Sequence, residues 1–172
     1  SKRFQYLQWF TNIQMIVAPE NSPPFDVQAF VYEQDTALVL KPAREIKEPA
    51  ENPEILINQA LEMPPLIPGS VLVQRQFPIQ LFAIIHDLEQ EPTWQEEWIV
   101  QALHNILHES EQRQLQSMGM PFLGTVHGSL SKQRFLKFLR SVMEKIAPVH
   151  LKRLWLIKAI SHEFHSQTKI YH

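Results

Sequence analysis

The decapeptide PFLGTVHGSL, residues 121–130, concentrates the residue types that can hold an anion. Two of the chain's four glycines, Gly124 and Gly128, stand in it, in a sequence that carries thirteen prolines. Glycine lets a ligand approach the backbone without meeting a Cβ, and a strand-to-helix turn can aim several N–H groups at one point. The helix that follows adds a dipole favourable to phosphate. Thr125 and Ser129 offer hydroxyl donors beside those amides, His127 a proton-dependent one, and Val126 sits between them. The same pattern describes an ordinary turn in which Ser131 caps the next helix. No lysine follows the second glycine and no GxGxxG is present, so neither a P-loop nor a dinucleotide fingerprint fits.

Other reactive side chains form weaker patterns. His104 and His108 stand at i, i+4, a spacing that can chelate a divalent metal, but HEXXH is absent and no third ligand is implied. Two solvated helix histidines are the simpler reading, and His162 and His165 with Glu163 are similar. His86 and Asp87 end a buried strand, where α/β proteins often present functional groups, yet neighbouring strand residues face opposite sides. A structural role for His86 is expected, with Asp87 capping the next turn. Ser129, His127 and Asp87 lack the GxSxG elbow of a hydrolase. The sequence assigns no catalytic residue, no metal site and no cofactor.

The elements that must position these groups follow from periodicity and breakers. Strands are expected at 13–18 (IQMIVA) and 26–35 (DVQAFVYEQD), with another at 36–41 (TALVLK) after a tight bend. Residues 41–52 read as loop, and Asn52-Pro53 opens a helix over EILINQALEM. SVLVQRQ (70–76) and IQLFAIIHDL (79–88) are strands, possible partners in a pair. Thr93 with Glu96 has capping-box spacing, which predicts a helix from Thr93 to about Glu111 with Trp94, Trp98, Ala102 and Ile106 on one apolar row and Ile99, Leu103 and Leu107 beside it. PFLG is expected to be a short strand. Helix then resumes after Ser131, with Phe135, Leu139, Val142 and Met143 facing inward, until Pro148 stops it. LKRLWLIK (151–158) is the last strand. Trp94, Trp98 and Trp155 are expected in the core and Trp9 at the surface. Strands alternating with long helices indicate an α/β domain.

The order of IIHDL, helix, GMPFLGTVHGSLS, helix and apolar strand resembles the C-terminal half of a macro domain, the ADP-ribose-binding module. PGSVLVQ (68–74) is similar to that family's PGDVVVT strand, and VQAFVYEQD (27–35) to its VDAIVNAAN strand. The resemblance covers residues 13–158 in the expected order. It implies a three-layer α/β/α fold with a mixed central sheet and a diphosphate loop at Gly124, Thr125, Val126, His127, Gly128 and Ser129. It also sets Asp35 where the family has a ribose-contacting asparagine. Four departures accompany it, the first being that no aspartate stands unambiguously after the first strand, where the family's adenine-recognising acid would sit. Asp35 accepts but cannot donate. The segment after it, TALVLKPAREIKEPAEN, has no glycine where a first glycine-rich loop belongs. Val126 replaces the middle glycine of the second loop.

Composition sets the outer limits. With 172 residues, one domain over 1–172 is the default. A net charge of −2 gives no broad electrostatic footprint for nucleic acid, and the basic run KQRFLKFLR (132–140) reads as a solvated helix face. The longest apolar runs are too short for a membrane span. The absence of cysteine fits a cytoplasmic setting. The expected function is a divergent binding module for a phosphate-containing ligand, ADP-ribose-like or another nucleotide. The alternative is a non-binding scaffold for a protein partner, which would show an apolar patch near Leu38, Val39 and Leu40. An ADP-ribosyl hydrolase ranks last, since it requires a water placed between two glycine loops.

Overall fold

A computed structural model describes residues 4–40 and 66–160. Seven strands form one sheet: β1 (Gln5–Leu7), β2 (Gln14–Pro19), β3 (Ala29–Asp35), β4 (Val71–Gln74), β5 (Ile79–His86), β6 (Ser117–Pro121) and β7 (Arg153–Lys158). Two helices, α1 (Glu96–Gln112) and α2 (Lys132–Ile146), complete the described elements. The spatial order is β1-β2-β7-β6-β3-β5-β4. The five central strands run parallel, and β1 and β4 close the two edges in antiparallel pairing. The sheet is therefore mixed, as expected.

Crossover handedness explains the layers. From β5 to β6 to β7 the chain moves one way across the sheet, so right-handed crossovers set both helices on one face. There Ile99, Leu103, Ile106 and Leu107 of α1 and Phe135, Leu139 and Met143 of α2 pack on Val17, Val31, Ala83, Met118 and Leu156. The passage from β2 to β3 moves the opposite way and covers the other face. Phe25 and Val27 from that passage pack on Ile16, Ala18, Trp155 and Ile157. Beside them Tyr32, Phe82 and Ile84 form a second cluster with Leu38 and Leu72. The helix expected over 54–63 lies outside the described residues, as do residues 161–172.

Several boundaries differ from the sequence reading. The strand expected at 36–41 is, over residues 36–40, a tight turn. The carboxylate of Asp35 gathers the N–H groups of Ala37, Val39 and Leu40, an arrangement that competes directly with strand pairing. The strand expected at PFLG is shifted to Ser117–Pro121, because Phe122–Gly124 turns and Gly124 adopts φ of 81°. Helix α1 begins at Glu96 with Gln95 as its N-cap, not at Thr93. The residues before it are held to the end of β5, since Asp87 N–H donates to Thr93 O and Trp94 bridges to His86. The second helix starts as read: the Ser131 hydroxyl accepts from Arg134 N–H at 3.1 Å.

Candidate functional site

The parallel strands β3, β5, β6 and β7 all release their following loops at one edge of the sheet, the usual crevice position in α/β folds. The glycine loop leaves β6 at this edge, and beside it β3 delivers Glu33. Strand alternation turns Val31, Glu33 and Asp35 toward the helical face. Glu33 is almost wholly buried. Its Oε1 accepts from Gly124 N–H at 2.9 Å. Its Oε2 accepts from His127 N–H at 3.3 Å and pairs with His86 Nε2 at 2.6 Å. An ionised Glu33 accepts a hydrogen from His86 Nε2, and His86 Nδ1 lies within hydrogen-bond distance of the Thr93 hydroxyl, 3.0 Å away. A chain of side chains thus runs from Thr93 through His86 and Glu33 to the loop's main chain.

Two amides that the resemblance assigns to a phosphate are therefore already taken by a carboxylate belonging to the chain. A second negative charge at about 4 Å from Glu33 would meet repulsion of about 4 kcal/mol at an effective dielectric of 20. That exceeds what one further hydrogen bond returns.

The glycines have internal reasons. A Cβ on Gly124 would lie 2.5 Å from Ile99 Cδ1, and one on Gly128 would lie 2.6 Å from Gly124 O and 2.8 Å from Trp94 Nε1. Both places are occupied by protein. Close packing of the turn on α1 and Trp94 thus demands these residues whether or not a ligand comes.

The other expected loop residues divide. Thr125 turns inward on itself, its N–H and hydroxyl both donating to Phe122 O. Val126 and Ser129 are exposed. Among the described residues, the N–H groups of Val126, Gly128 and Ser129 have no partner. The His127 ring stands edge-on to His86 at 6.2 Å, and its Nε2 is buried with no partner among the described residues. Asp35 is fully buried, and both carboxylate oxygens hold its own turn, at 2.7 Å to Ala37 N, 3.0 Å to Val39 N and 2.7 Å to Leu40 N. A ribose contact from Asp35 would require that turn to open.

A small cleft of about 40 Å³ adjoins the site, lined by Glu20, Val31, Glu33, Pro121, Val126 and Ile157 among others. That is room for about three waters at 10–15 Å³ each. A drug-sized ligand needs several hundred Å³.

The chain matches no family model and no curated protein. Solved structures do match. The Oceanobacillus iheyensis macrodomain with ADP superposes with a TM-score of 0.68 at 14% identity, over 98% of this chain and 95% of that one. The chain has the macrodomain fold. The macrodomain of Thermus aquaticus DarG gives a TM-score of 0.62 at 14% identity over 84% of this chain and 97% of that one. The macro domain of ganglioside induced differentiation associated protein 2 gives 0.64 at 9%, over 95% and 86%.

Within the macrodomain fold, Glu33 is the residue that sequence reading passed over. The VDAIVNAAN string carries alanine at its position. A glutamate on the inward face of a strand that otherwise shows Ala29 and Val31 there has to find buried partners, and that was the available signal. Asp87 serves its own turn, accepting from Glu89 N–H and the Gln90 side chain. Trp155 is buried as expected, with Nε1 donating to Ala18 O. Trp9 differs from the surface expectation: it is half-buried, packed on the core and under the Arg140 guanidinium. The described residues contain no group of three or more His, Asp or Glu that could hold a metal. None of their helices is long and apolar enough to cross a membrane.

Proposed function

We propose that this chain is a macrodomain-fold interaction module whose phosphate loop is closed from within, with protein contact at the crevice edge in place of nucleotide binding. The observation that carries this is the Glu33 carboxylate seated on Gly124 N–H and His127 N–H. The surface at the same edge supports it. Val39, Leu88, Val126 and Ile160, which follow β3, β5, β6 and β7, are exposed, and so is Ile67, which leads into antiparallel β4. Among the described residues, the other exposed large apolar side chains are Tyr6, Phe77 and Val149. Apolar groups concentrated around a crevice mouth suit a protein surface better than a charged diphosphate. A cytoplasmic setting, drawn from the cysteine-free composition, belongs to the same proposal.

Calorimetric titration with ADP-ribose and with ADP tests the closed loop directly. No heat and no thermal shift at millimolar ligand are expected. Saturable binding would overturn the reading.

A second reading has its own support. The Oceanobacillus protein was solved with ADP and a mutant of it with ADPR, and this chain keeps three N–H groups, at Val126, Gly128 and Ser129, without a partner among the described residues. Under that reading an ADP-ribose-like or other nucleotide ligand lies on the outer side of the loop, with Asp35 freed from its turn. Amide shifts confined to residues 124–129 and 35–40 on titration would establish it.

A further inference from the structure

We infer that Glu33 is a built-in occupant of an oxyanion seat, and that this one side chain denies the seat to a phosphate group. The inference rests on the closed-loop reading above and assigns the closure to a single residue. Four features converge on it. Glu33 presents a full carboxylate, nearly excluded from solvent, to two main-chain donors and to His86. One oxygen takes Gly124 N–H and the other takes His127 N–H, the way two oxygens of a bound phosphate would share the same loop. Buried Nε2 of His127 has no partner among the described residues, and its ring stands edge-on to His86 at 6.2 Å. Finally, Glu33 itself lines the small cleft, so its removal joins the volume of the side chain to existing space that opens on Val126 and Pro121.

Gly124 and His86, and the Gly128 next to His127, have anchors besides Glu33. Gly124 is fixed by Ile99 and Leu130 packed against its Cα and by Leu130 N–H donating to its carbonyl. Gly128 is fixed by Trp94 and the Gly124 carbonyl. His86 is held on its far side by Thr93. Cutting the side chain back therefore leaves these donors lacking an acceptor. Unpaired buried donors raise the free energy of the folded state until an anion returns to them. Stability of the truncated protein becomes anion-dependent by mass action, while the intact protein stays indifferent.

The test compares wild-type protein with Glu33→Ala, using inorganic phosphate and ADP-ribose as separate probes. Wild type should show no phosphate-dependent rise in Tm. Glu33→Ala should melt lower in phosphate-free buffer and recover several degrees in about 50 mM phosphate. Its ADP-ribose affinity should exceed that of wild type by about tenfold or more. Recovery with phosphate but not with ADP-ribose would mean that the seat takes a lone phosphate group and that the cleft rejects the nucleoside, which still supports the inference.

Should Glu33→Ala fail to fold in either buffer, Glu33→Gln carries the test. It keeps an acceptor for one N–H and removes the charge, so a smaller phosphate-dependent gain over wild type is expected. No gain in the variant that folds overturns the inference and leaves the closed-loop reading standing. Tight ADP-ribose binding by wild type overturns the closed-loop reading and the inference with it. Equal binding by both proteins overturns the two together.

Discussion

Asp35 gathers three main-chain N–H groups on one carboxylate at a position with no solvent access. Asparagine there would point an amide donor at one or two of those N–H groups. Asp35→Asn should therefore lose about 1–3 kcal/mol in urea unfolding. A wild-type value would mean the turn is held by something else. Gly128→Ala tests the second internal constraint, because its Cβ would press on the Gly124 carbonyl and the Trp94 indole. Overpacking of that kind costs about 1–3 kcal/mol. The loss should appear in the thermal midpoint without any ligand present. The sequence exposed these glycines as uncommon and clustered, but not their cause. Scarcity shows that a Cβ is unwelcome; only the packed structure shows that Ile99 and Trp94, not a ligand, exclude it. Glu33 was hidden for a related reason: its partners Gly124 and His127 lie about ninety residues further along the chain.

The end of α1 and the entry to β7 are tied by Glu111, whose carboxylate accepts the N–H groups of Val149, His150 and Leu151. Partial burial pushes its pKa up, but these hydrogen bonds, with His150 the largest, outweigh burial and hold the carboxyl below its ordinary value of 4.5. A depressed folded-state pKa means that the stabilisation is complete above the unfolded value and fades as pH falls through the lower folded one. Melting temperatures of wild type and Glu111→Gln should differ at neutral pH and converge in acid below 4.5. A constant gap across that range would dismiss the carboxylate's role. At the start of α2, Ser131→Ala removes the acceptor for Arg134 N–H and should lower stability by about 1 kcal/mol in denaturant titration. Ser131 was legible as a cap from sequence because capping is local. Thr93 was misread as one because its hydroxyl is drawn to His86 and its backbone to Asp87, contacts that capping-box spacing does not encode.

Across the whole molecule, stability should be graded from the sheet's centre outward. Strands β3, β6 and β7 are flanked by parallel neighbours and buried on the helical face, whereas β1 and β4 are edges. Native-state hydrogen exchange should be slowest in β3, β6 and β7 and fastest in β1 and β4. Edge strands protected as strongly as the centre would contradict this order. The sequence by itself determined the alternation of strands and helices, the inward row of α2, that of α1 apart from Trp94 and Trp98, and the resemblance to macro domains. Each of these is carried by period, by breakers or by short strings whose meaning is local. Tertiary structure alone decided the state of the loop. Whether converging amides face a ligand or a carboxylate of the same chain depends on which distant strand residue arrives beside them. Sheet order settles that here, by laying β3 against β6 and bringing Glu33 to the turn that follows it.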